Sequence, residues 1–201
     1  MVIFNEWLIF SLILLGIWFV IFVFLKRTRK EMFLVSLFTM PFGLTEPFFV
    51  PEYWNPPSLF NLAMRTGFDI ESLIFSFSIG GIVSVVYELF FKVKHKKMSR
   101  LEINYKRHRF HSLILISLPI IFLGLYFFSN INPIYSAIIS MIIFSILTFL
   151  CRPDLKKKIL LSGFLFLILY FLFFFSFSLI YPYAVERFWN LSSLSGILLL
   201  G

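Results

Sequence analysis

Three carboxyl side chains lie where two apolar stretches of the sequence end or begin. Glu46 is near the end of one stretch, and Asp69 and Glu71 open the next. Removing a carboxylate from water costs several kcal/mol unless it is paired or protonated. If the three groups meet away from water, we expect at least one to hold its proton at neutral pH. A protonated acid beside a carboxylate can give a proton to an apolar substrate and accept another from it.

Small and polar residues at helical spacing accompany these acids. One stripe ends at Glu46 and a second one ends at Glu88; their members are Ser36, Thr39, Gly43 and Glu46, and Ser72, Ser76, Gly80, Ser84 and Glu88. Such spacing places each set on one face of a helix. Small residues let membrane helices approach closely, so we expect the two stripes to face each other.

The composition indicates that these helices lie in a membrane. Of the 201 residues, 60% are hydrophobic and 14% are charged, which no soluble globule of this size accommodates. Six apolar runs are long enough, or nearly so, to span a bilayer as helices. They are Trp7 to Leu25, Met32 to Val50, Phe68 to Phe91, Ser112 to Phe128, Ile134 to Leu150, and Ile159 to Tyr181. The predicted fold class is an all-α integral membrane protein.

The basic residues predict the orientation of this protein in the cell membrane. Sixteen of the 18 Lys and Arg residues lie within three loops, at 26–30, 92–109 and 152–158. The positive-inside rule makes those loops cytoplasmic and puts the N-terminus outside. We expect the basic loops to contact anionic membrane lipid rather than nucleic acid.

An internal repeat organises the chain. The segment Glu46–Leu59 aligns without gaps with Tyr181–Leu194, and six of the fourteen positions are identical. The offset spans four helices, so the two repeats share one orientation and are related by an axis along the membrane normal. We predict a single membrane domain of three plus one plus three helices: repeat one at about 1–91, a linker helix at about 111–128, and repeat two at about 134–201.

The seventh helix of that plan begins only at the last residues, near Gly196. We expect either that the record of the chain is truncated or that a partner chain supplies the remainder. Cys151 is the single cysteine, and neither it nor the pair His108 and His111 has companions at metal-ligand spacing. We predict no metal site, and the sequence identifies no cofactor.

Three segments together resemble the membrane-integral lycopene cyclases, whose domain occurs as two small subunits or as a tandem fusion. They are the Tyr53-Trp54-Asn55 loop, the stretch 67–75 (GFDIESLIF), and Tyr87-Glu88. Members of this family close the ends of a linear carotenoid into rings by protonating a terminal double bond and then losing a proton, without net oxidation. The resemblance implies a hydrophobic isoprenoid substrate and a homologous partner subunit or a homo-oligomer.

The family's Pro-x-Glu-Glu-x-x-Phe signature corresponds to residues 69–75. The resemblance implies that Glu71, at the first signature Glu, is the acid or base. Asp69 replaces the signature Pro and Ser72 replaces the second Glu. Loss of this carboxyl group would lower the rate by orders of magnitude unless Asp69, about one helical turn from Ser72, replaces it. We therefore predict Glu71, Asp69 and Glu46 as catalytic residues. Substrate contacts are predicted for Trp54, Asn55, Ser72 and Glu88.

A non-catalytic carrier or small transporter is the alternative, because parallel three-helix repeats also occur in permeases. Such proteins carry helix-breaking Gly or Pro residues in both repeats. Pro41 and Gly43 lie in the outer part of the second run, whereas the equivalent stretch 176–180 contains neither residue. A phosphate-binding glycine loop and a nucleophile elbow are absent from the sequence, which argues against kinases and hydrolases.

Overall fold

The computed structural model of the chain describes residues 5–91, 110–129 and 131–190. Within these ranges the elements are helical, and one isolated β-bridge joins two loops. The α-helices are α1 (Glu6–Phe24), α2 (Arg29–Thr39), α3 (Leu62–Thr66), α4 (Ile70–Phe90), α5 (His111–Phe128), α6 (Pro133–Cys151), α7 (Lys156–Ile180) and α8 (Ala184–Phe188). Three 3-10 segments cover Met40–Phe48, Leu59–Asn61 and Pro153–Leu155.

Five helical stretches are long and apolar enough to cross a membrane. They are α1, α4, α5, α6, and the stretch Pro153–Ile180 that includes α7. Side chains cap three of them at their starts, where Asn5, Asp69 and Asn132 each accept a backbone N–H. The all-helical class is confirmed, and the apolar helices are compatible with a membrane location.

The second apolar run differs from its prediction as one continuous helix. Helix α2 ends at Thr39, and the chain continues as a 3-10 helix through Phe48. Pro41 and Pro47 lie within this stretch, and a proline has no N–H with which to continue the α-helical bonding. Among the described residues, the six predicted spans therefore correspond to five long helices and one broken segment.

The two small-residue stripes contact each other along this broken segment. The Thr39 hydroxyl donates to the backbone carbonyl of Ser76 at 3.0 Å, and Gly80 lies directly against the Thr39 side chain. Farther along, Gly43 packs on the backbone of Ser72. Residues 36–46 and 72–81 thus run antiparallel, with backbones close enough that side chains larger than hydrogen do not fit at several positions.

A hydrophobic cluster fills the space beside these stripes. Its buried members are Leu14, Trp18, Met32, Ile82 and Val85, which come from α1, α2 and α4. The Trp18 indole N–H donates to the Ser36 hydroxyl at 2.9 Å, so the one polar atom of this ring is satisfied inside the apolar layer. The cluster holds α4, which carries Glu71, against α1 and α2.

The chain divides into two compact units. One contains the described residues of Met1–Phe91 and Phe164–Gly201, and the other those of Lys92–Gly163. In the second unit α5 packs on α6, where Ser117, Ser136 and Ser140 are buried. The predicted basic loop at 92–109, with His108, and the predicted seventh helix after Gly196 lie outside the described residues.

Gly43 provides a test of the close packing. A methyl group at this position would lie 2.7 Å from the Ser72 carbonyl oxygen and 2.8 Å from the Leu73 amide nitrogen, both of them backbone atoms. We expect Gly43→Ala to lower the free energy of unfolding by about 1–3 kcal/mol, because the helices must separate to admit it. Thermal unfolding in lipid nanodiscs measures this loss.

Gly16→Ala is the matched control, since a methyl group there meets no heavy atom within 4 Å. It should leave the unfolding temperature unchanged or slightly higher. Equal effects of the two substitutions would contradict the packing described for Gly43.

Candidate functional site

The three predicted acids meet at one end of the helices in the first unit. Glu46 comes from the 3-10 segment Met40–Phe48, and Asp69 and Glu71 come from the start of α4. The exposed fraction of Glu46 is 7%, and those of Asp69 and Glu71 are 0%. Glu46 and Asp69 share Ser72 as a hydrogen-bond partner, and Glu71 lies two positions after Asp69 at the start of α4, so the structure brings these residues together in a buried cluster.

Glu46 accepts three hydrogen bonds and joins three segments of the chain. Its Oε1 atom accepts from the Trp54 indole N–H at 3.0 Å and from the Ser72 hydroxyl. Its Oε2 atom accepts from the Asp69 backbone N–H at 2.9 Å. Both carboxyl oxygens are thus engaged by donors, which fixes the orientation of the carboxyl group.

Glu71 is held through one oxygen only. The Asn5 side-chain amide donates to its Oε1 atom at 2.9 Å, and the Leu59 backbone N–H donates to the same atom at 2.7 Å. The Oε2 atom is buried and has no hydrogen-bond partner. An unpartnered buried oxygen is rare in folded proteins and indicates a position for a ligand or a reacting group.

Asp69 caps α4 and also keeps one oxygen free. Its Oδ1 atom accepts from the Ser72 backbone N–H at 2.5 Å, whereas its buried Oδ2 atom has no partner. Asp69 precedes the membrane-spanning helix, and burial, followed by the charge of Glu46, raises the pKa of its carboxyl to about 7. At neutral pH the group is therefore present in both protonation states.

Asn5 is a member of this site that sequence reasoning missed. Its Oδ1 atom accepts the Leu8 backbone N–H at 2.6 Å and caps α1, while its Nδ2 atom contacts Glu71. An Asn directly before an apolar run is a recognisable cap signal. That signal gives no information on the second contact, which joins residues 66 positions apart in the chain.

The two loops of the proposed repeat pair with each other. Trp54 and Trp189 form an isolated antiparallel bridge. Two backbone hydrogen bonds flank it, from the Asn55 N–H to the Phe188 carbonyl at 2.8 Å and from the Asn190 N–H to the Tyr53 carbonyl at 2.9 Å. In the alignment of the proposed repeat, Tyr53 corresponds to Phe188 and Asn55 to Asn190. The alignment therefore maps each of these two hydrogen bonds onto the other, so the loops contact each other through equivalent positions.

Aromatic rings surround the acids. The Trp54 ring lies 4.9 Å from that of Trp7 and 4.5 Å from that of Trp189, measured between centroids. Trp7 also lies 5.2 Å from Phe75 on α4. The faces of such rings attract cations, so a positive charge that develops on a bound substrate would be stabilised here.

The predicted substrate-contacting residues separate into two groups. Ser72 donates to Glu46, and Trp54 does the same, so both belong to the acid cluster. The Asn55 side chain is exposed, and this residue contributes its backbone to the bridge. Glu88 lies 17 positions after Glu71 on the same helix, about 25 Å away along its axis, and is not part of the cluster.

Trp54 allows a test of the Glu46 contacts. Trp54→Phe keeps an aromatic ring but removes the indole N–H that Glu46 accepts, so we expect the free energy of unfolding to fall by about 1.5–3 kcal/mol. Trp189→Phe is the control, because it replaces the other ring of the same bridge by a smaller one without removing a donor to Glu46. Equal losses in thermal unfolding would show that the Glu46 hydrogen bond contributes little.

Comparison with known proteins adds one match. A family model described as lycopene cyclase matches residues 132–201, about a third of the chain. The chain matches no curated protein and no solved structure. The matched part begins before α6 and includes Trp189, whereas the residues of the acid cluster precede the matched part in the chain. Over residues 132–201 the chain is therefore similar to the lycopene cyclase family.

Proposed function

We propose that this chain is an acid–base catalyst of the lycopene cyclase type, which closes the ends of a linear carotenoid or a similar isoprenoid into rings. The carrying observation is the buried cluster of Glu46, Asp69 and Glu71, in which two carboxyl oxygens have no partner. The family match supports the same reaction class.

The proposed reaction needs only proton transfers and one new carbon–carbon bond. A carboxylic acid protonates a terminal double bond, and the electrons of a second double bond attack the resulting cation to close a six-membered ring. A carboxylate then removes a proton from the carbon beside the new cation, which restores a double bond. Product and substrate are isomers, so the step needs no oxidant or reductant.

The surroundings of the acids suit each stage of this reaction. Burial excludes the water that would otherwise capture a carbocation. The rings of Trp7 and Trp54 lie beside the acids and supply faces that attract positive charge. Ser72 and Trp54 are therefore proposed to contact the reacting end of the substrate. Asn55 and Glu88 lie outside the acid cluster, and their contacts with the substrate remain predictions.

The carrier alternative gains no specific support. A permease of parallel repeats requires a broken helix in each repeat. The 3-10 segment Met40–Phe48 breaks the second run, but its counterpart α7 is continuous from Lys156 to Ile180. The break in the first repeat instead serves to bring Glu46 to the acid cluster.

Expression in cells that accumulate lycopene tests the proposed function. We expect the chain, expressed from its full reading frame, to convert the pigment into cyclic products, and Glu71→Gln to abolish them because the amide can neither give nor take a proton. Pigment composition by chromatography is the measurement, with membrane insertion confirmed for each variant.

Glu31→Gln is the control for this experiment, because Glu31 is an exposed residue in the first turn of α2. It removes one carboxyl from the chain but should leave the products unchanged. Unchanged lycopene with an inserted, intact protein would count decisively against the cyclase proposal. Cyclic products from Glu71→Gln would exclude Glu71 as a catalyst.

We also propose that the protein lies in the cell membrane with its acid cluster near the outer surface, the basic loops in the cytoplasm, and anionic lipid and a homologous subunit as partners. In a Cys151→Ser background, a cysteine at exposed Glu52 should react with a membrane-impermeant maleimide on intact cells, and one at exposed Glu31 should react only after lysis. The reverse labelling pattern would invert the topology.

A further inference from the structure

The three acids of the cluster differ in how many donors stabilise their ionised forms. Glu46 accepts three hydrogen bonds, over both oxygens. Glu71 accepts two on Oε1, and Asp69 accepts one on Oδ1. Because each donated hydrogen bond favours the carboxylate over the acid, the charged form is least supported at Asp69.

The charges that act on Asp69 reinforce this order. They are those of Glu46, from the adjacent 3-10 segment, and of Glu71, on its own helix. Both are negative, so they oppose ionisation of Asp69. Helix α1 contributes the uncharged residues Asn5 and Trp7 to the site. A buried carboxyl group between two other acids lowers its energy by keeping its proton.

We propose that Asp69 is the acid of this cluster, that its Oδ2 atom carries the transferable proton, and that Glu71, oriented by Asn5, is the carboxylate that accepts a proton through Oε2. This assignment rests on the proposed cyclase function and deepens it. Glu46 then has a third role, as the fixed carboxylate that holds Trp54, Ser72 and the Asp69 backbone in place.

The two unpartnered oxygens support the assignment of Asp69 as the acid and Glu71 as the proton acceptor. In both Asp69 and Glu71 one oxygen is engaged by the protein, and the other is buried without a partner. The engaged oxygen fixes the orientation of the carboxyl group, and the free oxygen remains available to a substrate carbon. Asn5 is a positioning residue, because it acts on the substrate only through Glu71.

The protons and electrons balance over one cycle. The Oδ2–H bond of Asp69 breaks as a C–H bond forms at the terminal alkene carbon, and the ring then closes. A C–H bond beside the cation breaks, its electrons form the ring double bond, and the proton goes to Oε2 of Glu71. Transfer of that proton from Glu71 to Asp69 restores the starting state.

The pKa of Asp69 gives this assignment a pH dependence. The carboxyl group ionises at about 7, above the ordinary value of 3.8, because burial and Glu46 disfavour its charge. The proton is therefore present below pH of about 7 and is lost as the pH rises through that value. We expect the protonated carboxyl group to disappear over the same range.

Infrared spectroscopy of the unmodified chain tests the assignment without any substrate. The C=O stretch of a protonated carboxyl group is distinct from the carboxylate bands and shifts in heavy water. The sequence contains two Asp residues, Asp69 and Asp154, and Asp154 is exposed and paired with Arg152 at 2.8 Å. Aspartate labelled with ¹³C should thus move the band of Asp69 alone, with a midpoint of titration near pH 7.

Each outcome of this measurement decides the proposal. A band that moves with labelled aspartate supports it, and a band that moves only with labelled glutamate, or no such band below pH 7, overturns it. Asp69→Asn keeps the helix cap and should remove the band, whereas Glu71→Gln should leave it. If Asp69→Asn fails to fold, the labelled unmodified chain still gives the answer.

Asn5→Asp tests the positioning role. It keeps a cap for α1 but replaces the donor to Glu71 with a carboxyl group, so a second protonated band should appear. A purely structural role for Asn5 would leave the number of bands unchanged and would overturn this part of the proposal. The failures are distinguishable: a cluster that titrates as expected but yields no cyclic product overturns the cyclase function alone.

Discussion

The hydrogen bonds to Glu46 are the constraint on which the site depends. One carboxylate accepts an indole N–H from the outer loop, a hydroxyl from α4, and the backbone N–H at the start of that helix. A charge-assisted bond of this kind is about twice as strong as a neutral one, and the dry surroundings strengthen it further. Without a carboxylate at this position, the Trp54 loop and the start of α4 would lose their common point of attachment.

Close backbone contact is what allows Glu46 to reach its partners. Gly43 rests on the backbone of Ser72, and Gly80 rests on Thr39, so the broken second segment lies directly against α4. The prolines that interrupt the α-helix shift this segment into a 3-10 helix, which rises farther per residue. The break in this segment therefore positions Glu46 among its hydrogen-bond partners.

The pairing of Trp54 with Trp189 connects the site to the part of the chain that carries the family match. The bridge uses equivalent residues of the two aligned segments, and the ring of Trp54, which donates to Glu46, lies 4.5 Å from that of Trp189. Each of the two Trp-Asn segments supplies one backbone donor and one backbone acceptor to the other.

Composition and residue spacing were enough to predict the all-helical class, the long apolar helices and the small-residue stripes, because these are local properties of the sequence. It also indicated which acids would be costly to leave in an apolar layer, namely Glu46, Asp69 and Glu71. The folded structure was needed to see that the second run is broken, that Asn5 holds Glu71, that Glu88 lies apart, and which carboxyl oxygens lack a partner. These features depend on contacts between residues far apart in the chain, and the hydrogen-bonding capacity of a side chain does not specify which distant partner will use it.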